Sequence, residues 1–145
     1  MNVHSILASK GDGVITIPQI ATVAQAAELC SAHAVGALVV SGDGRAVEGL
    51  LGERDLLRTL SHGGPDAWSF KVGAVMSTDV ITCHLSDSVE SLMSVMTQCR
   101  IRHLPVVDDD AMLAGIVSIG DVVKFRLDEL VAENNSLFEY NTHGR

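Results

Sequence analysis

The sequence predicts an α+β fold of two tandem repeats, each with the order β-α-β-β-α, packed through their sheets as one module with an extended C-terminal helix. Three observations predict it. The chain is 47% hydrophobic but only 3% aromatic, which is typical of a Val, Leu, Ile and Ala core in mixed layers. It aligns with itself at an offset of 66 residues. Helical and strand-like hydrophobic patterns follow the same order in both copies.

The duplication runs without gaps over residues 14–58 and brings residues at element boundaries into register. Gly49 aligns with Gly115, and Asp55 aligns with Asp121. Matches among Val and Leu arise easily in so apolar a chain, whereas a Gly and an Asp repeated at one internal spacing do not. The predicted divisions are a first repeat at 1–64, a second repeat at 65–130 and a helical tail at 131–145.

The first repeat begins with a predicted strand at Val14–Ile17. Thr22 is the predicted N-cap of a helix, because Gln25 follows at the spacing of a capping box. That helix has one apolar face, formed by Val23, Ala26, Ala27 and Cys30. The remaining predicted elements are a buried strand at Ala37–Val40, a turn at Ser41–Gly44, a returning strand at Gly49–Leu51 and a helix at Glu53–Leu60.

The second repeat follows a Gly- and Pro-containing linker at Ser61–Asp66 and a short helical lead-in at Val72–Met76. Neither copy alone buries enough surface for a stable core, so the two are expected to pack as one unit. The predicted elements are strands at Val80–Cys83, Leu104–Val107 and Leu113–Val117, a helix at Val89–Cys99, a turn at Asp108–Asp110 and a long helix starting near Asp121.

Charge and cysteine content narrow the classes of function. The formal net charge is −8 and no element carries a cluster of Lys and Arg, so nucleic acid is a poor candidate partner. A mononucleotide stays open as a ligand, since a few cations and backbone N–H groups suffice for one phosphate cluster. The three cysteines include no CxxC pair, which disfavours a disulfide framework and a zinc ribbon.

The sequence contains no export signal, no metal-site spacing and no catalytic motif. The N-terminus has no basic region followed by an apolar stretch, and no apolar run has the length of a membrane span, so we predict a cytoplasmic protein without a membrane partner. The six histidines lack metal-site spacing, and no GxSxG elbow occurs. We therefore predict no metal, no catalytic residue, no catalytic cofactor and no enzyme activity.

The segment Gly115–Asp121 carries the most informative chemistry, because an apolar strand there runs directly into a helix. Free N–H groups at that helix start tolerate an anion, the Ser118 hydroxyl can donate to phosphate, and the Asp121 carboxylate can accept from a ribose diol. The alternative is that both residues merely cap the helix. Arg102 and His103, at the mouth of the preceding strand, favour a site.

Strand alternation leaves a second alternative open for Arg102 and His103. Successive side chains point to opposite faces of a sheet, so one of these two residues is free to face water. His103 would then be a solvated or internally satisfied histidine.

These features resemble a CBS-domain pair, also called a Bateman module, over nearly the whole chain. The stretch RHLPVVDDDAMLAGIVSIGDVVK is especially similar to the second-copy pattern of that family. The resemblance implies one potential adenosine cleft per copy, in which the Ser or Thr and the Asp at the last helix contact phosphate and ribose. Apolar and backbone groups of the first two strands would enclose the adenine.

The resemblance implies a nucleotide site in each repeat. The second-repeat site would comprise Ile81, Thr82, Arg102, His103, Leu104, Pro105, Ser118 and Asp121. The first-repeat site would comprise Ile15, Thr16, Gly36, Ala37, Leu38 and Asp55. The first set departs from the pattern because Gly52 replaces the hydroxyl of Ser118, and Gly36 and Ala37 replace the donors Arg102 and His103. Arg54 and Arg58 compensate only in part, so we rank the second site first.

The tail carries a four-three spacing typical of a short coiled-coil seam, formed by Val123, Leu127, Leu130, Asn134 and Leu137. A lone amphipathic helix lying on its own domain is the alternative. CBS pairs commonly dimerise, so this helix is expected to extend a homodimer contact.

The sequence thus favours a regulatory homodimer that binds an adenine nucleotide (AMP, ADP or ATP) and transmits a conformational change to an unidentified effector protein. NAD or S-adenosylmethionine are alternative adenosyl ligands. A structural dimerisation module with empty clefts is the alternative from another class.

Overall fold

The structure is a computed structural model that describes residues 1–143, with side chains described through residue 137. Two three-stranded sheets reproduce the duplication. The first contains β1 (Thr16–Ile17), β2 (Ala37–Val40) and β3 (Gly49–Gly52), and the second contains β4 (Cys83–His84), β5 (His103–Val107) and β6 (Leu113–Ser118). In each sheet the first strand is parallel to the middle strand, and the third is antiparallel to it.

Helices flank both sheets and complete the predicted α+β fold. The described helices are α1 (Val3–Lys10), α2 (Val23–His33), α3 (Glu53–Gly63), α4 (Val72–Val75), α5 (Val89–Cys99) and α6 (Ile119–His143), with a 3-10 segment at Gly64–Ser69. Within residues 1–143, none of the helices combines the length and hydropathy that crossing a bilayer requires. Residues 144–145 of the predicted tail lie outside the described residues.

Local sequence signals account for the helices that were predicted best. The capping box at the start of α2 is confirmed, since the Gln25 backbone N–H donates to Thr22 Oγ1 at 3.2 Å and the Thr22 N–H donates to Gln25 Oε1 at 2.9 Å. The predicted bounds of α5 are also confirmed. Both helices end in a left-handed residue, Ala34 and Arg100.

Three elements differ from the prediction. The strands β1 and β4 are two residues long, because only those residues lie opposite the middle strand in parallel register. The predicted linker Ser61–Asp66 is helical: α3 runs to Gly63, and Pro65 stands in the first turn of the 3-10 segment, where its missing N–H costs no hydrogen bond. The long helix, by contrast, starts at Ile119, close to its predicted start near Asp121.

The helix α1 was not predicted. Its first turn is capped by Asn2, whose Oδ1 accepts from the Ser5 N–H at 3.1 Å, and it ends at Gly11, which has a φ of 99°. Val3, Ile6 and Leu7 form its buried face.

Each repeat has its own core, and each core is completed by the helix that precedes the other repeat. Val3, Ile6 and Leu7 of α1 pack in the core of the second repeat with residues of β5 and β6. Val72 of α4 packs in the core of the first repeat. The division of the chain at residues 64 and 65 stays a prediction, but this exchange means that neither segment holds the whole of its own core.

The two sheets also meet directly. The Leu113 N–H donates to the Arg45 carbonyl oxygen at 2.7 Å, and Ala46 forms an isolated bridge with Met112. On the other side, Leu50 and Ser77 exchange two backbone hydrogen bonds of 3.0 and 2.9 Å. The repeats therefore form one packed unit.

Candidate ligand cavity between the repeats

The two aligned aspartates are held in the same way at the starts of α3 and α6. Asp55 Oδ2 accepts from the Gly52 N–H at 2.8 Å, and Asp121 Oδ2 accepts from the Ser118 N–H at 2.9 Å. In the second repeat the Ser118 hydroxyl also accepts from the Asp121 N–H at 3.1 Å. The capping alternative is thus realised, and the same bonds orient both carboxylates at the ends of their strands.

The remaining contacts of the two carboxylates differ. Asp55 Oδ1 accepts from Arg58 Nη2 at 2.7 Å and from the Ser77 hydroxyl at 3.4 Å. The Arg58 side chain is 63% exposed, so water screens this ion pair and its net stabilisation is small. The arginine can therefore be displaced from Asp55 at little cost.

The Asp121 carboxylate is paired with a residue from outside its repeat. Lys10 Nζ donates to Asp121 Oδ2 at 2.6 Å and to the Ile116 carbonyl oxygen at 2.8 Å. Burial raises the pKa of Asp121, but the hydrogen bonds from Lys10 and Ser118 outweigh burial and lower the pKa of Asp121 below its ordinary value. This carboxylate is therefore ionised and already neutralised by Lys10.

A cavity of about 760 Å³ lies between the repeats and receives side chains from both. It is lined by four arginines, Arg54, Arg58, Arg100 and Arg102, and by His103. Its acidic lining residues are Glu53 and Asp55, and its hydroxyls come from Ser77 and Ser118. The cavity thus gathers four of the ten Lys and Arg residues of a chain whose formal charge is −8.

His103 stands at the boundary between the two repeats. Gly36 of the first repeat makes room for it, since a Cβ at Gly36 would lie 3.0 Å from Glu53 Oε1 and 3.3 Å from His103 Cε1. Burial lowers the pKa of His103, and the charges of Glu53 and Asp121 oppose this only in part. Burial thus favours the neutral imidazole at pH 7.

The structure regroups the two predicted sets of site residues. Arg102, His103 and Ser118 of the second set share the cavity with Gly36 and Asp55 of the first. Asp121 does not line this cavity. Arg102 and His103 therefore share a cavity with the aspartate of the other repeat, although the sequence analysis had grouped them with the aspartate of their own.

The remaining predicted site residues lie elsewhere. Ala37, Leu38, Leu104 and Pro105 are buried in the middle strands of their sheets, and Ile15 packs against the first core. Ile81 and Thr82 are exposed just before β4. Thr16 lines a separate cavity of about 740 Å³ that is bordered by α1.

Arg102 and His103 both line the cavity, but Arg102 is exposed to water, as the alternative allowed, whereas His103 is half-buried. Alternation does not separate them because Arg102 lies before the start of β5, where its carbonyl oxygen accepts from the Ile119 N–H at 2.8 Å.

Sequence reasoning missed three polar residues around the aspartates: Lys10, Ser77 and Arg100. Lys10 and Ser77 belong to lead-in segments outside the aligned part of the duplication, and no local pattern connects them to a carboxylate. Arg100 carried a weak signal, since it lies two residues before Arg102 at the strand mouth that had been singled out. Within residues 1–143, no group of three or more His, Cys, Asp or Glu could hold a metal ion.

Comparison with known proteins gives consistent matches to one family. The family model "CBS domain" matches residues 9–62 and 72–128. The mitochondrial CBS domain-containing protein CBSX3 of Arabidopsis thaliana is 41% identical over 123 residues, covering 82% of this chain and 59% of that protein. The chain therefore spans less than two thirds of that relative.

Solved structures share the same architecture. The CBS-domain containing protein ATU1752 from Agrobacterium tumefaciens has a TM-score of 0.82 at 38% identity, covering 87% of this chain and 99% of that one. Two more distant structures show likeness of fold. They are PAE2072 from Pyrobaculum aerophilum complexed with AMP (TM-score 0.75, 24% identity, 83% and 89% covered) and the CBS domain pair of MJ0100 in complex with 5'-methylthioadenosine and S-adenosyl-L-methionine (TM-score 0.78, 23% identity, 89% and 98% covered).

Proposed function

The chain belongs to the CBS-domain family, and we propose that it is a regulatory module which binds an adenine nucleotide in the cavity between its repeats and catalyses no reaction. The observation that carries this proposal is the concentration of positive charge in that cavity. Four arginines face two carboxylates there, which leaves a local excess of two positive charges while His103 is neutral. A phosphate chain would neutralise that excess.

The charge balance favours phosphate-bearing ligands over other adenosyl compounds. An arginine guanidinium group can donate two parallel hydrogen bonds to phosphate oxygens. Charge-assisted hydrogen bonds of this kind are stronger than those between neutral groups. S-adenosylmethionine carries a sulfonium cation, which the same arginines would repel. We therefore rank ATP and ADP above AMP, and AMP above S-adenosylmethionine, with NAD as a further phosphate-bearing alternative.

The adenosine end of the ligand would use Asp55. Its Oδ2 is held by the Gly52 N–H, while Oδ1 is paired with an exposed arginine that a ligand can displace. A ribose diol donating to this carboxylate would free Arg58 to contact phosphate. The weaker prediction from sequence, the first-repeat aspartate, thus becomes our preferred site because the second repeat supplies the missing donors.

Isothermal titration with AMP, ADP, ATP, NAD and S-adenosylmethionine tests this function. For Arg102→Ala we expect ATP to bind roughly tenfold or more weakly, since a lost charge-assisted bond costs about 1.5–3 kcal/mol. Arg45→Ala is the matched control, because Arg45 lies in an exposed turn outside the cavity. Equal ATP affinity of both variants, or no heat with any of the five compounds, would contradict the proposal.

Signalling would work through a shift between packing states. A ligand that contacts both repeats stabilises one relative arrangement of the repeats over another. The coupling free energy of such effects is typically about 1–3 kcal/mol. An effector protein, which we expect to meet this module in the cytoplasm, would respond to the change.

A homodimer is the second part of the proposal, and the exposed face of α6 favours it. Val123, Leu127, Leu130 and Leu137 are each between 52% and 57% exposed. They follow the four-three spacing identified in the sequence, so one apolar stripe of the helix faces away from its own repeat. A second copy of the chain would cover this stripe.

A further inference from the structure

The two carboxylates at the helix starts provide two positions at which one chain could hold a ribose. Asp55 and Asp121 occupy equivalent positions in the duplication, and each has one oxygen held by the backbone N–H three residues before it, at 2.8 and 2.9 Å. The duplication by itself would therefore allow two adenosine ligands per chain. What differs is the cation beside each carboxylate.

The cation at Asp55 is local and exposed. Arg58 lies one turn further along the same helix, and its side chain is 63% exposed. The residue 66 positions after Lys10 is Met76, in the segment that leads into the second repeat, and its thioether packs over Gly49, because a Cβ at Gly49 would lie 2.5 Å from Met76 Sδ. Among the side chains described through residue 137, no lysine is bonded to Asp55.

The cation at Asp121 is supplied from far along the chain and is fixed at two points. Lys10 is 111 residues away in sequence, and its Nζ bonds both Asp121 Oδ2 at 2.6 Å and the Ile116 carbonyl oxygen at 2.8 Å. Its side chain is 30% exposed and that of Asp121 is 25% exposed, so both charges are shielded from water more than the Arg58 head group is.

The helix that carries Lys10 is held firmly against the second repeat. Val3, Ile6 and Leu7 of α1 are between 0% and 6% exposed. Leu7 fits directly over Gly115 of β6, where a Cβ would lie 2.7 Å from Leu7 Cδ1. The close seating of α1 keeps the backbone of Lys10 beside Asp121.

A neutral ribose diol is a poor replacement for this ammonium group. It would have to displace a charge-assisted bond from a partly buried carboxylate and leave that negative charge without its counterion. From these contacts we infer that Lys10 is the specificity-determining residue that keeps a ribose from the Asp121 carboxylate, so that each chain binds one adenosine ligand, at Asp55. The inference rests on the proposed function.

Binding stoichiometry tests it, with ATP as the probe in isothermal titration. The wild-type chain is expected to bind one ATP, and Lys10→Met is expected to bind two, because a thioether, as at Met76, replaces the ammonium group. Lys71→Met is the matched control, since it removes the same charge from an exposed position that contacts neither Asp55 nor Asp121 and should leave one site per chain. Adding Asp121→Asn to Lys10→Met should return the count to one.

The outcomes separate this inference from the proposed function. One site in both the wild type and Lys10→Met, or two sites in the wild type, would overturn the role of Lys10 while leaving nucleotide binding intact. No ATP binding by either protein would overturn both. If Lys10→Met shows no cooperative thermal unfolding, Lys10→Gln serves instead, because it can still donate to Ile116 without carrying charge, and two sites are again expected.

Discussion

At the scale of single residues, the junction between the repeats depends on a position without a side chain. Gly36 aligns with Arg102, so the sequence alone suggests that the first repeat has lost a donor. In the structure the space over Gly36 is taken by Glu53 Oε1 and His103 Cε1. The missing side chain lets an acid of one repeat and a histidine of the other meet at the cavity wall.

Given the proposed nucleotide site, this placement predicts that nucleotide affinity depends on pH. Burial first of all lowers the pKa of His103, so the imidazole of the free protein takes up its proton at lower pH than an ordinary histidine does. Bound phosphate would raise the pKa of His103, and a group whose pKa rises on binding strengthens binding as the pH falls. We expect the ratio of the ATP affinity of the wild type to that of His103→Gln to increase as the pH falls from about 7.5 to 5.5.

Isothermal titrations of both proteins with ATP at several pH values measure this ratio. Ionisation of the ATP phosphates affects both proteins equally, so it cancels in the ratio. A ratio of affinities that stays constant across this range would show that His103 does not contact the ligand.

At the scale of elements, prediction succeeded where a local pattern is sufficient. The helix α2 has a capping box, and α5 has apolar residues at helical spacing bounded by Ser88 and the left-handed Arg100. The helix α1 was missed although Asn2 is a good N-cap residue, because eight residues are too few to form a stable helix without tertiary packing. Its existence depends on the surface of the second repeat.

The contribution of α1 to the second core can be measured at Ile6. This side chain is 2% exposed, and truncating such a residue to alanine typically costs about 2–5 kcal/mol through lost burial and the cavity left behind. We expect Ile6→Ala to lower the free energy of unfolding by that amount in urea denaturation. Ile20→Ala makes the same chemical change at a position that is 79% exposed, and we expect a change within about 0.5 kcal/mol.

Equal effects of the two substitutions would mean that α1 is not part of the folded core.

At the scale of the whole molecule, the exchange of lead-in helices ties the two repeats together. The helix α1 precedes the first repeat and packs in the second, while α4 precedes the second and packs in the first. Any change in the relation between the repeats must therefore move these helices as well. A ligand in the shared cavity would be coupled to α1 and α4 through the cores that they complete.

The exposed stripe of α6 leads to a prediction about assembly. We expect the wild type to be a dimer in light scattering after size-exclusion chromatography and Leu130→Glu to be a monomer, since a charge in a helix seam disfavours its burial. Leu130 is 56% exposed within one chain, so the substitution should leave the fold of the chain intact. Ile20→Glu is the control on another exposed surface. A monomeric wild type would exclude this interface.

The sequence by itself determined the number of repeats, the order of their elements and the two aspartates at the helix starts, because periodicity, caps and turns act between residues close along the chain. Only the tertiary structure decided which groups meet at each aspartate. Arg102 and His103 line the cavity of Asp55, and Lys10 reaches Asp121 across 111 residues. Such pairs arise from the packing of one repeat against the other, and no local pattern encodes them.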